Sequence, residues 1–293
     1  MRWILPSRVI ELGRPFVLGV VNVTPDSFSD GGWLADADAA VAHAERLLDT
    51  GADGVDIGGE STRPHNAGPV PVDEELRRVL PVVSTLRLTR PDALISIDTT
   101  KAEVARAALD AGADVVNDVS ALRLDPEMAH VCASHGAGVI LMHSRGTVAD
   151  MATFAHADYG DDPVGDVVRE LASQLDAARD AGIPGGRIVL DPGVGFSKRS
   201  AVSLAVLREL PRFAALGRPL MVGASRKRFI GELSGVSEPA ARVHGSVGAH
   251  VAALAHGARL FRVHDVRAHR EALDVAWAVL RGQEGTRAGG HEG

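Results

Sequence analysis

The sequence predicts a single (β/α)₈ barrel from three observations. Short apolar runs alternate with segments of helical periodicity, as in consecutive βαβ units. Eight such units recur, and the 293-residue chain has about the length of one barrel. A doubly wound open sheet alternates in the same way, but it rarely needs eight units of such even size. The predicted strands are 15–23, 54–59, 93–99, 114–120, 138–144, 187–193, 219–225 and 259–265.

The remaining segments are assigned by their position and composition. Residues 1–15 are expected to form a hairpin that closes one end of the barrel, which itself occupies residues 16–281. The segments between the strands, such as KAEVARAALDAGA, are amphipathic, and several end in Gly as helix C-caps do. Residues 282–293 are polar and Gly-rich without periodicity, which predicts a mobile tail.

Composition limits the class of protein. Hydrophobic residues make up 45% of the chain and aromatic residues 4%, so the core must consist mainly of Val, Leu, Ile and Ala. A net charge of −7 argues against a general nucleic-acid surface or an anchor to anionic membranes. Cys132 has no second cysteine to pair with and lies in a helix-like run, so it is predicted to be a small buried hydrophobe. Since no apolar run approaches about 18 residues, we expect a cytoplasmic protein.

Polar residues follow the predicted strands at their carboxyl ends, where barrel enzymes place their chemistry. An Asp at a strand end can also cap the next helix, and for Asp98 or Asp191 taken singly the two roles are equally plausible. Both lie within apolar runs, where a carboxylate needs hydrogen-bond partners, and this favours ligand binding. The candidates are Asn22, 60–63, Asp98, Asn117, Asp118, His143, Asp191, Ser225, Arg226, Lys227, Arg262 and His264.

Two basic clusters and two loops complete the expected site. The clusters, 226–228 and 262–264, could be ordinary surface charge, but beside two strand ends they suggest an anionic substrate such as a phosphate ester. On charge alone, a sugar phosphate fits equally well. The loops 22–33 and 58–71 are long and polar, and Phe28 within the first is more easily explained as a lid contact than as an ordinary loop residue.

The sequence argues against several other chemistries. None of its 12 His lies in an H-E-x-x-H or H-x-x-E-H pattern, which disfavours a zinc site. Most of them fall in helical patterns and are expected at the surface or at helix ends. The G-x-S-x-G elbow and the G-x-x-x-x-G-K-S/T phosphate loop are missing from the sequence, so catalysis should proceed by positioning and electrostatics. The His assigned to surface or cap positions are His43, His130, His156 and His269.

Eight motifs in order on the eight predicted strands resemble the dihydropteroate synthase family over about residues 16–281. They are NVTPDSFSDGG, DIGGESTRP, SIDT, NDVS, LMH, LDPGVGF, GASRKRFIG and RVHDV. The resemblance implies condensation of a dihydropterin hydroxymethyl diphosphate with p-aminobenzoate, giving dihydropteroate and diphosphate on the folate pathway. It also implies Mg²⁺, a homodimer, and competition by sulfonamides for the aminobenzoate site.

The resemblance also assigns roles to residues. Asp98, Asn117, Asp191 and Lys227 are similar to the pterin-recognition set, with Met142 and Phe196 as the apolar walls of its slot. Thr62, Arg63, Arg262 and His264 resemble the diphosphate site, with Val263 a further substrate contact and Asn22 a ligand of Mg²⁺. Phe28 and Pro64 would flank the aminobenzoate ring, and Asp30 would stabilise a carbocation at the pterin methylene. His143 receives no role.

Two alternatives and two departures accompany this assignment. A pterin-binding barrel methyltransferase would share the slot but need no diphosphate site, and the presence of Phe28, Thr62 and Arg63 favours the synthase. A non-catalytic pterin-binding paralogue would show degraded motifs, whereas SIDT, SRK and RVHD are intact. Arg228 stands where many members have Ser, and Ser246 where Thr is common. The first departure bears on the aminobenzoate and sulfonamide contacts.

Overall fold

The computed structural model of the chain describes residues 1–24, 33–60 and 70–281, with side chains in the second range from residue 37 onward. Its centre is a sheet of eight parallel strands, which confirms the predicted barrel. Each of the eight predicted apolar runs contains one of these strands. They are β3 (Phe16–Asn22), β4 (Gly54–Gly58), β5 (Leu94–Asp98), β6 (Val115–Asp118), β7 (Gly138–Met142), β8 (Ile188–Asp191), β9 (Met221–Val222) and β10 (Leu260–Val263).

The strands form a closed ring. Hydrogen bonding runs in the order β8-β7-β6-β5-β4-β3-β10-β9. The two ends of this series meet through a parallel bridge between Leu190 and Leu220, next to a 2.9 Å bond from the Leu190 amide to the Pro219 carbonyl. Because all strands are parallel, their carboxyl ends lie on one face of the barrel, and the polar strand ends are brought together there.

Helices cover the outside of the ring. Their ends follow local sequence signals: Asp162 accepts a 3.0 Å bond from the Gly165 amide to cap one helix, and Gly136, with φ 64°, ends another. The helices are α1 (Trp33–Asp49), α2 (Val72–Thr89), α3 (Ala102–Asp110), α4 (Met128–His135), α5 (Pro163–Asp180), α6 (Ser200–Arg208), α7 (Arg228–Ser234), α8 (Val243–Ala255) and α9 (Val266–Arg281). Within the described ranges, none is long and apolar enough to cross a membrane.

The amino-terminal end of the barrel is closed by an antiparallel hairpin, β1 (Arg2–Ile4) and β2 (Val9–Glu11). Trp3 is fully buried, contacts the Phe16 ring edge-on at 6.4 Å between centroids, and donates from Nε1 to the Arg187 carbonyl at 2.8 Å. This apolar floor is one cluster of buried residues that joins the hairpin to the inward side chains of the strands. Its members are Trp3, Leu5, Leu12, Phe16, Leu18, Leu94, Val115, Ile140, Val189, Met221 and Leu260.

A second and larger apolar layer lies between the strands and the helices, and the packing there decides two predictions. Cys132 is buried in this layer, as expected, and burial raises the pKa of its thiol to about 12. His269 is fully buried beside His250, with 4.9 Å between ring centroids, so the prediction of a surface or cap position for it is wrong. It lies on the face of α9 that packs against the barrel. The predicted tail, 282–293, lies outside the described residues.

Candidate active site

A cavity of about 570 Å³ opens at the carboxyl ends of the strands. Side chains from β3, β5, β6, β7, β8 and β10 reach it, together with the loops that follow β8 and β9. Most of the predicted site residues that the structure describes therefore share one space. Those that line it are Asn22, Glu60, Asp98, Asn117, Met142, Asp191, Phe196, Ser225, Arg226, Lys227, Arg262 and His264.

Three predicted strand-end residues are placed elsewhere: Val263, His143 and Asp118, the last of which holds a turn. Val263 alternates with Arg262 along β10, so its side chain packs in the outer apolar layer and not in the cavity. His143 is fully buried behind the cavity wall, where it contacts Lys198 and Glu170. Six further predicted residues lie outside the described ones: Phe28, Asp30, Ser61, Thr62, Arg63 and Pro64.

A charged network lines part of the cavity. Arg262 donates from Nε to Asp56 at 2.5 Å and from a terminal nitrogen to Asp98 at 2.6 Å. Burial raises the pKa of Asp98 to about 7, and the neighbouring Arg262 counteracts this increase. The surrounding carboxylates in turn raise the pKa of Arg262, which keeps this guanidinium charged.

Asp56 was missed by the sequence reasoning. It is fully buried on β4 and also accepts a 2.9 Å bond from the amide nitrogen of Asn117. The sequence signal that could have found it is the alternation of side chains along a strand. Val55 and Ile57 face outward, so a carboxylate at position 56 must face the inside of the barrel. The strand-end rule did not detect it because it lies two residues before the end of β4.

Asn117 and Asp191 present acceptors to the same cavity. The Asn117 amide oxygen is buried and has no hydrogen-bond partner within the described residues. Asp191 is 3% exposed and accepts a 2.7 Å bond from the Gly193 amide through one oxygen. Burial raises the pKa of Asp191 to about 6, against the opposing effects of the Gly193 amide and the Lys227 charge. Buried acceptors of this kind need donors, which a ligand can supply.

One wall of the cavity is apolar. Val119, Met142, Met151 and Phe196 form a buried cluster that is separate from the floor and the outer layer. The Lys227 ammonium lies 3.8 Å from the centre of the Phe196 ring. Together these residues offer a flat apolar surface beside a cation, which suits an aromatic bicycle that carries a carbonyl oxygen.

The loop after β9 supplies the cations of the rim. Arg226 has φ 61° and forms two bonds with Asp265, at 3.0 and 2.7 Å. Ser246, which stands where Thr is common in the family, accepts from the Arg226 amide at 2.9 Å. Its hydroxyl therefore holds this loop. Ser225 hydrogen-bonds the His264 ring at 3.0 Å. Nearby, the Arg228 guanidinium lies 3.9 Å from the centre of the Phe154 ring.

Asp118 is a strand-end carboxylate that binds the backbone of a turn and not a ligand. It accepts from the amides of Ser120 at 2.7 Å and Leu122 at 2.9 Å. These bonds hold a turn in which Ala121 and Leu122 have φ values of 53° and 65°, an uncommon conformation for residues with a side chain. Asp118 is therefore committed to the backbone.

The barrel and its cavity define an α/β-barrel enzyme whose site, at the carboxyl ends of the strands, combines buried acceptors, a flat apolar wall and positive charge. The family described as pterin binding enzyme matches residues 18–264. The dihydropteroate synthase of Synechocystis sp. is 45% identical over 92% of this chain and 91% of its own length. The chain belongs to the dihydropteroate synthase family, whose members are transferases of folate biosynthesis.

Solved structures agree with this placement. The dihydropteroate synthase of Xanthomonas albilineans, in complex with 7,8-dihydropteroate, is 46% identical with a TM-score of 0.85 and covers 95% of this chain and 98% of its own. The enzyme of Yersinia pestis, in a complex with a sulfonamide drug, is 41% identical with a TM-score of 0.87, over 97% of this chain and all of its own.

Proposed function

We propose that this chain condenses 6-hydroxymethyl-7,8-dihydropterin diphosphate with p-aminobenzoate to give 7,8-dihydropteroate and diphosphate. The observation that carries the proposal is the deep slot itself, in which the unpartnered oxygen of Asn117 lies beside Asp98 and Asp191. Three acceptors in one cavity match a ring edge rich in N–H donors. The relative that was solved with 7,8-dihydropteroate supports this choice of ligand.

The pterin is held by its polar edge and its faces. Asp98, Asn117 and Asp191 accept from the ring and amino N–H groups, while Lys227 donates to the ring carbonyl. Phe196 lies against Lys227 and contributes the apolar wall on which the bicycle rests. These contacts fix the exocyclic methylene toward the mouth of the barrel, where the acceptor amine must arrive.

The reaction replaces one bond at that methylene by another. The bond from the methylene carbon to the diphosphate oxygen breaks with its electrons, the aminobenzoate nitrogen bonds to the carbon, and the amine loses one proton. Arg262 and His264 line the cavity and would stabilise the negative charge that develops on the diphosphate. Thr62 and Arg63 are proposed for the same role from the family resemblance.

Magnesium is proposed as a substrate-dependent cofactor. Among the described residues, no group of three or more His, Cys, Asp or Glu side chains could hold a metal ion by itself. Asn22 nevertheless lines the cavity at the end of β3 with an amide oxygen, a ligand type that suits a hard cation. Mg²⁺ bound by Asn22 and diphosphate oxygens would neutralise part of the leaving group's charge.

The acceptor site is proposed at the rim. Phe28, Pro64 and Asp30 are assigned there by the resemblance alone. Arg228 lies at the mouth of the cavity on the Phe154 ring, and this places a guanidinium where the members with Ser have a small hydroxyl. The carboxylate of p-aminobenzoate would meet that positive charge.

A homodimer is proposed from an apolar groove between α6, α7 and α8. The groove encloses about 400 Å³ and is lined mainly by Leu204, Leu207, Phe229, Ile230, Leu233 and Ala249. Leu233 is 67% exposed, and an apolar surface of this kind is commonly covered by a second copy. Sedimentation should give a dimer that Leu233→Asp converts to a monomer. A cytoplasmic location is also proposed, to be checked by cell fractionation.

The decisive test is release of diphosphate from the pterin diphosphate and p-aminobenzoate, with and without Mg²⁺. We expect turnover only with Mg²⁺ and with both substrates, and competition by a sulfonamide against p-aminobenzoate. No release under these conditions would contradict the proposal. Pterin binding measured by calorimetry without any turnover would instead indicate a non-catalytic paralogue.

A further inference from the structure

A buried lysine lies in the wall of the cavity, next to the pterin slot. Lys198 is 1% exposed, and its ammonium nitrogen lies 3.0 Å from the Gly193 carbonyl and 3.1 Å from the Phe196 carbonyl. It also lies 2.9 Å from Nδ1 of His143. The carbonyls belong to the loop after β8, residues 192–198, which continues directly from Asp191 and includes Phe196. Lys198 thus contacts the segment that forms two parts of the slot.

This loop has a conformation that needs support. Gly193, Gly195 and Ser197 have φ values of 67°, 79° and 48°. Gly193 approaches β7 so closely that a Cβ atom there would lie 2.0 Å from the His143 carbonyl oxygen. The tight turn points the carbonyls of Gly193 and Phe196 toward one buried point. A positive charge at that point offsets their repulsion, and Lys198 provides it.

His143 connects Lys198 to the outside of the barrel. Its Nε2 lies 3.0 Å from Glu170, which also pairs with Arg145. With Glu170 ionised, Nε2 must carry the proton of a neutral imidazole, so Nδ1 is an acceptor. Lys198 then donates three hydrogens, to His143, Gly193 and Phe196, and this requires the ammonium form. The contacts therefore form a chain of hydrogen bonds in which Lys198 donates to His143 and His143 donates to Glu170.

We propose that Lys198, oriented by His143 and Glu170, is a positioning residue for pterin recognition. It holds the loop 192–198 so that Asp191 faces the ring edge and Phe196 faces the ring plane. Because Lys198 acts through Asp191 and Phe196, its loss should weaken the binding of the pterin more than the binding of p-aminobenzoate. The inference rests on the proposed function, because it assigns the slot to a pterin. It also gives His143 a role that the sequence motif alone did not.

The charges around Lys198 make its role sensitive to pH. Burial lowers the pKa of Lys198 to about 7; Asp191 and Glu170 oppose this decrease, whereas Arg145 and Lys227 add to it. Burial and the Lys198 charge lower the pKa of His143 to about 4, so His143 stays neutral near neutral pH. Lys198 therefore loses its proton as the pH rises through its lowered pKa, and the loop loses its third hydrogen bond.

The test is the pH dependence of pterin binding, with unsubstituted pterin as the calorimetric probe from about pH 6 to about pH 9. Wild-type affinity should fall on the alkaline side. Lys198→Met should bind pterin about tenfold more weakly and should keep only the alkaline fall that ionisation of the pterin itself causes. Glu170→Gln removes a negative charge that favours the ammonium, so the fall should move to lower pH. In turnover assays, Lys198→Met should raise KM for the pterin diphosphate and leave KM for p-aminobenzoate nearly unchanged.

Glu170→Gln keeps the test valid even if Lys198→Met does not fold, because the Glu170 side chain is 37% exposed. Glu271→Gln on α9, where the side chain is 69% exposed, is the matched control and should show the wild-type profile. Ionisation of the pterin itself is common to all variants. Identical profiles for Glu170→Gln and wild type would overturn the inference alone. A wild-type protein that does not bind pterin would overturn the proposed function with it.

Discussion

The floor and the mouth of this barrel are built from the same strands but have opposite chemistry. On β5 the inward side chains run from Leu94 at the floor to Asp98 at the mouth, and on β10 from Leu260 to Arg262. A step of two residues keeps a side chain on the inner face, so only depth separates the two regions. The difference teaches that closure of the barrel and recognition of the ligand are placed in separate layers.

The two layers also differ in what burial does. At the floor, removing apolar side chains from water stabilises the fold. At the mouth, burial raises the pKa values of Asp98 and Asp191, which means that the fold disfavours their charged forms. The floor should therefore control stability, and the mouth should control binding at some expense of stability.

The largest expected effect is at the floor. Trp3→Ala removes a fully buried ring and a hydrogen bond, and should lower the free energy of unfolding by about 3–5 kcal/mol. Both KM values should stay close to wild type at a temperature where the variant is folded. Urea denaturation and steady-state kinetics measure the two quantities. Ile4→Ala, on the same hairpin but 43% exposed, is the control and should cost less.

The next largest effect is at the mouth, where we expect a substitution to weaken binding and to leave stability unchanged or higher. Asp191→Asn replaces an acceptor by a group that also presents donors to donors, which should weaken pterin binding by about 1–3 kcal/mol. The bond from Gly193 can be kept by the Asn oxygen, and the cost of burying a charge is lost. We therefore expect a melting temperature equal to that of the wild type or higher. Calorimetry and thermal unfolding decide; a lowered melting temperature with unchanged affinity would contradict the division into layers.

The fold was largely predictable because its signals are local. The alternation of apolar and polar residues, with Gly at helix ends, located all eight strands. The strand ends were predictable for the same reason, and Asp98, Asn117 and Asp191 do share one cavity. Position along a strand, however, does not show whether a polar group faces a ligand or the backbone, as Asp118 demonstrates.

The parts that were missed depend on contacts between distant segments. Asp56 meets Asn117 and Arg262 across the inside of the barrel, and Lys198 meets His143 only because the loop after β8 turns back over β7. No spacing in the sequence encodes these pairs. His269 was assigned to the surface because helical periodicity does not reveal which face of α9 packs against the barrel.

A smaller effect concerns pH and should act on the two properties in opposite directions. The folded pKa values of Asp98, about 7, and Asp191, about 6, lie above the ordinary 3.8. Between the ordinary pKa of 3.8 and the raised folded values, these carboxyls bind more protons in the folded state than in the unfolded state. The contribution of the two carboxyls to stability therefore decreases as the pH rises from about 4 to about 7. Pterin affinity should change the other way, falling as the pH drops through about 7 and then about 6 and the two acceptors are protonated, by up to about tenfold per pH unit for each acceptor. Denaturation and calorimetry across this range test both signs.

The smallest expected effect separates burial from charge within the floor itself. Arg2 and Glu11 form an ion pair on the hairpin, with side chains 70% and 60% exposed. Water and salt screen such a pair, so Arg2→Ala should change the free energy of unfolding by less than about 1 kcal/mol. Urea denaturation of Arg2→Ala and of Trp3→Ala under the same conditions measures the difference in their free energies of unfolding. A loss equal to that of Trp3→Ala would mean that the hairpin is held by its charges, whereas a small loss places its stability in the buried ring.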